Sequence, residues 1–176
     1  LQIIKDEGIS EELVYLDEHV KVAQSTNIIA PDGERAILTY PGSAINVKEL
    51  LGLLEHIETR WIYISSVGSM ELLSAVFNFA KLNQIKVAFN PGGVELLRVE
   101  ETKQLLTAVD VLIMNKQEAS KFFGDLESAS LCRAAAEYVH TAVVTDGPNG
   151  SYAHNAGKDY HQPISQDVKV IDRTGA

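Results

Sequence analysis

The sequence predicts an α/β fold, a doubly wound and mainly parallel sheet with a β-hairpin near its start. Three observations predict it. Four short apolar runs, beginning at Trp61, Lys86, Val109 and Ala142, alternate with text in which apolar residues recur at helical spacing. Parallel neighbours need a crossover of a dozen or more residues, and the helical text supplies it. Ahead of this alternation, two runs rich in Val, Ile, Leu and Thr flank the turn signal Pro31-Asp32-Gly33.

Taken in order, Leu1 to Ser10 reads as the end of a helix that Gly8 stops. His19 to Ala30 and Arg35 to Tyr40 form the hairpin, which Pro41-Gly42 closes. Asn46 with Glu49 three residues on has capping-box spacing ahead of Leu50, Leu51, Leu53 and Leu54, so a helix runs to about His56. Trp61 to Ser65 is a strand, and Leu72, Leu73, Val76, Phe77 and Ala80 mark the buried stripe of the next helix. Lys86 to Asn90 is a second strand. Asn90-Pro91 reads as an N-cap with Pro in the first turn, and helical text runs from Val94 to about Ala108. Val109 to Met114 is a third strand, followed by a helix from Asn115 to Phe123 that Gly124 ends. A helix from Ser130 to His140, with Leu131, Ala135, Tyr138 and Val139 on one face, leads into a fourth strand at Ala142 to Thr145. Ser151 to Asn155, an Ala156-Gly157-Lys158 turn and Asp159 to Gln162 complete a β-meander.

Composition narrows the classes. The 176 residues match one domain per roughly 150, so a single domain spans the chain with the hairpin at about 13–42. With 45% hydrophobic and 22% charged residues, disordered, collagenous and coiled-coil chains are excluded. No run approaches the roughly 18 apolar residues of a membrane span. The formal net charge of -9 argues against broad contact with nucleic acid. Cys132, the lone cysteine, allows no internal disulfide and fits a cytoplasmic location. Because the chain opens on Leu1 and ends on Thr174-Gly175-Ala176, it reads as a piece of a longer protein.

Open α/β sheets bind ligands outside the carboxyl ends of their strands. Here those ends are Ser65-Ser66-Val67-Gly68, Asn90-Pro91-Gly92-Gly93, Asn115-Lys116-Gln117-Glu118 and Thr145 to Gly150, all small, polar or Gly-rich. Asn115 and Glu118 have the spacing of a capping box, and Glu118 at a helix start also suits a magnesium-bound water near phosphates. Thr145 to Gly150 by itself reads as a plain β-connection, a Gly-containing turn that also lets a ligand approach backbone N–H groups. Asp172-Arg173-Thr174-Gly175-Ala176 suggests exposed backbone donors, an anion cradle at the start of a helix. Cys132 reads as core filler, and His56, His140 and His154 lack metal-ligand spacing. Dinucleotide, Walker-type and Gly-x-Ser-x-Gly patterns are absent.

In this order and spacing, the motifs resemble the ribokinase-like (PfkB) carbohydrate kinase family. Val143 to Ser151 looks like its nucleotide-binding strand and turn, Asn115-Lys116-Gln117-Glu118 like its Asn-x-x-Glu motif, and Asp172 to Ala176 like the start of its Asp-Thr-x-Gly-Ala-Gly-Asp signature. The hairpin carrying Asp32-Gly33-Glu34-Arg35 is similar to the β lid that covers the sugar and often pairs with a second subunit. The resemblance implies ATP-dependent phosphorylation of a hydroxyl on a sugar or nucleoside. It implies that Glu118 organises Mg2+, that Asn115 lies near the phosphates, and that Thr145, Asp146, Gly147, Pro148, Asn149 and Gly150 line the nucleotide site. Gly175 and Ala176 would begin the catalytic anion hole. Asp172 and Thr174 match positions that in many members hold a monovalent cation such as K+. The family's catalytic base is the last Asp of the signature, two residues beyond Ala176. Many sugar kinases carry an acidic substrate contact near Ser65 and Ser66, so no sugar ligand is carried over. A noncatalytic nucleotide- or metabolite-binding domain of the same fold is the alternative, and a Rossmann oxidoreductase ranks last.

Overall fold

The structure is a computed structural model that describes residues 2–11, 14, 21–29, 35–40, 42–43 and 46–165. The expected turn at Pro31-Asp32-Gly33 and the Asp172 to Ala176 run lie outside the described residues. The chain divides into two compact units, Leu1–Ile57 and Glu58–Ala176.

The first unit contains α1 (Gln2–Asp6), β1 (Gln24–Ile29), β2 (Arg35–Tyr40) and α2 (Val47–Leu54). β1 and β2 pair antiparallel from Gln24↔Tyr40 to Ile29↔Arg35, the expected hairpin. Alternation puts Thr26, Ile28, Leu38 and Tyr40 on one face and Ile29 and Ile37 on the other. These five large apolar side chains, from Ile28 to Tyr40, are 47–62% exposed. At α2, Asn46 Oδ1 accepts from the N–H groups of Lys48 (3.0 Å) and Glu49 (3.3 Å), so the expected cap forms.

The second unit runs β3 (Trp61–Ser65), α3 (Met70–Leu82), β4 (Lys86–Asn90), α4 (Gly93–Leu97), α5 (Val99–Leu105), β5 (Val111–Asn115), α6 (Lys116–Phe123), α7 (Ser128–Ala135), β6 (Thr141–Thr145), β7 (Ser151–Asn155) and β8 (Lys158–Gln162). Its strands form a six-stranded sheet in the order β3-β4-β5-β6-β7-β8. β3 to β6 are parallel, and β7 and β8 are antiparallel. The antiparallel tail follows from the connection after β6, which is too short to cross over. One sheet face carries Ile64, Val87, Phe89, Leu112, Met114, Ala142 and Val144, all buried. Against it pack Leu72, Leu73, Val76, Phe77 and Ala80 of α3, the stripe that the spacing predicts, together with Leu131, Cys132 and Ala135 of α7. Phe77 and Phe89 meet edge to face with centroids 5.3 Å apart. Burial pushes the Cys132 thiol up to about 11, so it behaves as a small apolar group.

Three local expectations change. The helical text from Val94 to Ala108 is broken at Arg98 (φ −120, ψ 53), where the buried Thr102 hydroxyl donates to the Glu95 carbonyl at 3.1 Å. Asn90 is not a helix cap, because the helix begins two residues past Pro91 with Gly92 as its N-cap. Instead Asn90 Nδ2 donates to the Ile113 carbonyl at 2.8 Å, tying β4 to β5. α7 ends at Ala135 rather than His140, and i→i−3 bonds from Glu137 and Tyr138 tighten the chain towards β6.

The meander is tied to α7 by Asp159, which accepts from Arg133 Nε at 3.0 Å and lies 2.7 Å from His154 Nδ1. The Arg133 guanidinium first, and His154 second, pull its carboxyl down to about 2 from the ordinary 3.8. A depressed carboxylate stabilises the fold above its unfolded pKa, and that contribution disappears as pH falls from about 4 through about 2. An NMR titration of Asp159 is expected to give a midpoint near 2 that moves towards 3.8 in Arg133→Met. An unmoved midpoint would show that the ion pair does not form in solution.

Candidate functional site

Because β3 to β6 are parallel neighbours, their carboxyl ends lie along one edge of the sheet, with Ser65 opposite Asn90 and Asn115 opposite Thr145. The four small, polar segments singled out in the sequence are therefore brought together two by two. At the β3 and β4 ends, Glu95 is fully buried, with 0% exposure. Its carboxylate accepts from Ser66 Oγ (2.8 Å), Val67 N–H (3.1 Å) and Gly92 N–H (3.3 Å). Gly92 permits this closeness, since a Cβ there would lie 2.9 Å from Ser66 Cβ. Glu95 escaped the sequence reading, although its place three residues after Gly92 was a capping signal.

At the β5 end, the capping box is complete. Asn115 N–H donates to Glu118 Oε2 at 2.9 Å, and Glu118 N–H donates to Asn115 Oδ1 at 2.8 Å. Both readings of Glu118 stay compatible, because the cap engages Oε2 and leaves Oε1 without a hydrogen bond among the described residues. Asn115 is exposed at the strand end. No group of three or more His, Cys, Asp or Glu side chains capable of holding a metal occurs among the described residues. A magnesium ion commonly takes only one or two protein carboxylates and completes its shell with water and phosphate oxygens, so the single carboxylate of Glu118 fits that role.

At the β6 end, Thr145 is exposed, Gly147–Asn149 forms a single 3-10 turn, and Gly150 (φ 84, ψ −148) restores the strand. Asp146 N–H donates to the Gly150 carbonyl at 2.8 Å, closing the turn. On its far side, His161 Nε2 donates to the Asn149 carbonyl at 2.9 Å, and the His161 ring stacks on Tyr152 at 4.4 Å. Asp146 is turned inward. Its Oδ2 accepts from Ser128 Oγ at 2.7 Å and from Lys116 Nζ at 3.2 Å. The Ser128 hydroxyl, then Lys116 and Asn149, hold this carboxyl below the usual carboxylate range, and Asp146 in turn raises Lys116. Asp172, Thr174, Gly175 and Ala176 lie outside the described residues.

The family model of the pfkB family carbohydrate kinases matches residues 1–176, a span that includes both the strand-end turn and the capped helix start. The chain belongs to that family. No curated protein sequence matches it. Its fold is similar to that of the Methanocaldococcus jannaschii nucleoside kinase, an archaeal member of the ribokinase family, at TM-score 0.75 and 23% identity, over 99% of this chain and 56% of that one. Thermotoga maritima ribokinase gives TM-score 0.75 and 20% identity over 97% of this chain and 56% of that one. Arabidopsis thaliana ribokinase, solved with ribose and ATP, gives TM-score 0.70 and 20% identity over 92% and 56%. At these identities the likeness establishes the ribokinase-like fold, and the pfkB chain spans little more than half the length of these structures.

Proposed function

We propose that the protein transfers the terminal phosphate of ATP to a hydroxyl of a sugar or a sugar-like substrate such as a nucleoside. The observation that carries this reading is the register of Asn115 opposite Thr145, which sets the Asn-x-x-Glu box beside the Thr145 to Gly150 turn on the carboxyl edge of the sheet. Phosphoryl transfer depends on positioning and charge neutralisation more than on covalent help from the protein. Thr145, Gly147, Pro148, Asn149 and Gly150 would border the nucleotide, Asn115 would lie near its phosphates, and Glu118 would hold magnesium through water. Magnesium, when bound, neutralises charge on the transferring phosphate. Gly175 and Ala176 would begin the anion hole, with Asp172 and Thr174 beside a K+ site. The β1–β2 hairpin, with Ile28, Ile29, Ile37, Leu38 and Tyr40 exposed, would pair with a second copy's hairpin, giving a homodimer. The setting would be cytoplasmic.

The test is transfer of phosphate from ATP by the full-length protein, with magnesium, to a panel of sugars and nucleosides. Turnover on a member of the panel is expected. Silence across the panel with nucleotide binding retained would instead identify a noncatalytic nucleotide-binding member of the family. Glu118→Gln keeps an oxygen for the Asn115 N–H but removes the charge, and is expected to lower turnover about 10- to 100-fold while raising the magnesium requirement. Unchanged kinetics in Glu118→Gln, with loss only in Glu118→Ala, would reduce Glu118 to a capping residue.

A further inference from the structure

Asp146 stands where a phosphate-binding turn is least suited to an acid. An ionised carboxylate beside a polyanionic ligand repels it, so a carboxylate there needs neutralisation and an internal use. Both are present. Lys116, the first residue of α6, supplies the cation at 3.2 Å, and Ser128, the first residue of α7, donates a hydroxyl at 2.7 Å to the same oxygen. Ser128 is only 3% exposed, so its hydroxyl depends on this partner. The three groups come from three separate segments: the turn after β6, the helix start after β5, and the helix that leads into β6. A tight turn between two strands needs none of these attachments, because Asp146 N–H and the Gly150 carbonyl already close it.

We propose that Asp146 is a positioning residue, whose bonds to Lys116 and Ser128 lock the Thr145 to Gly150 turn to the Asn115–Glu118 helix start. The lock fixes the spacing between the two segments before any ligand arrives, which lowers the ordering cost of binding a ligand that spans both. Lys116 is neutralised by the pair and holds Asp146 in place, rather than standing as an open cation. This assignment rests on the nucleotide-site reading above for its consequence, but the lock itself is a property of the ligand-free protein.

Two measurements on the full-length protein separate these. In amide hydrogen exchange without ligand, Asp146→Ala, Asp146→Asn and Lys116→Met are each expected to speed exchange about tenfold or more at 115–118 as well as at 146–150. Acceleration confined to 146–150 in the Asp146 variants, with Lys116→Met silent there, would overturn the lock. In ATP kinetics, Asp146→Ala and Lys116→Met are expected to raise KM for ATP about 10- to 100-fold with kcat little changed. The double variant is expected to be no worse than the singles, because either change opens the same lock. Multiplicative losses in the double variant would overturn it. A wild-type protein that neither binds nor turns over ATP would count against the proposed function alone, since the exchange experiment still decides the lock.

Discussion

Glu95→Leu is expected to destabilise the protein by about 2–6 kcal/mol, since the half-buried N–H groups of Val67 and Gly92 each lose an acceptor at a cost of about 1–3 kcal/mol, whereas the exposed Ser66 hydroxyl can turn to water. All three donors are aimed at a carboxylate with no exposed surface. Leucine has a similar volume but carries no acceptor for these donors. Glu95→Gln retains one carbonyl oxygen but turns an amide towards at least one donor, so an intermediate loss of about 1–3 kcal/mol is expected. Urea unfolding followed by far-UV circular dichroism measures both. A leucine variant within about 1 kcal/mol of wild type would show that the β3 and β4 ends do not depend on this carboxylate.

Gly150→Ala is expected to cost about 2–4 kcal/mol, combining backbone strain with overlap. With φ 84 and ψ −148, Gly150 occupies a region open essentially to glycine alone. A methyl group there would also overlap the Gln162 carbonyl oxygen and lie 2.9 Å from Pro163 Cα, both backbone groups that cannot swing aside. The strain should appear first as displacement of β8, because Ser151 pairs with Gln162 and His161 holds the Asn149 carbonyl. Faster amide exchange through β7 and β8 together with a lowered urea midpoint is the expected result. A midpoint equal to that of wild type would mean that the turn relaxes at no cost.

The β/α alternation was legible because each strand and helix announces itself locally. Trp61 to Ser65 and Lys86 to Asn90 begin and end where the apolar runs do, and all five residues of the predicted α3 stripe are buried. The Asn115–Glu118 box was legible for the same reason, since both partners sit within one helical turn. The break at Arg98 was not, because Val94 to Ala108 contains neither Gly nor Pro to mark a stop. It is stabilised by a hydroxyl seven residues from its acceptor, a bond that exists only after the chain has turned. Glu95 was passed over because its donors Ser66 and Val67 lie about 30 residues away in sequence, on another strand end.

Sequence alone therefore determined the pfkB family, the element order and the strand-end segments, all of which depend on local periodicity, turn residues and short motifs. Only the tertiary structure decided what the charged groups at those ends do. Asp146 reads as a nucleotide-site residue of the turn and Lys116 as an unassigned position inside the Asn-x-x-Glu motif, separated by 30 positions, until parallel pairing of β5 with β6 brings them to 3.2 Å. The physical reason is range: periodicity and capping act within a turn of backbone, whereas an ion pair or a buried carboxylate is defined by neighbours that only the sheet assembles.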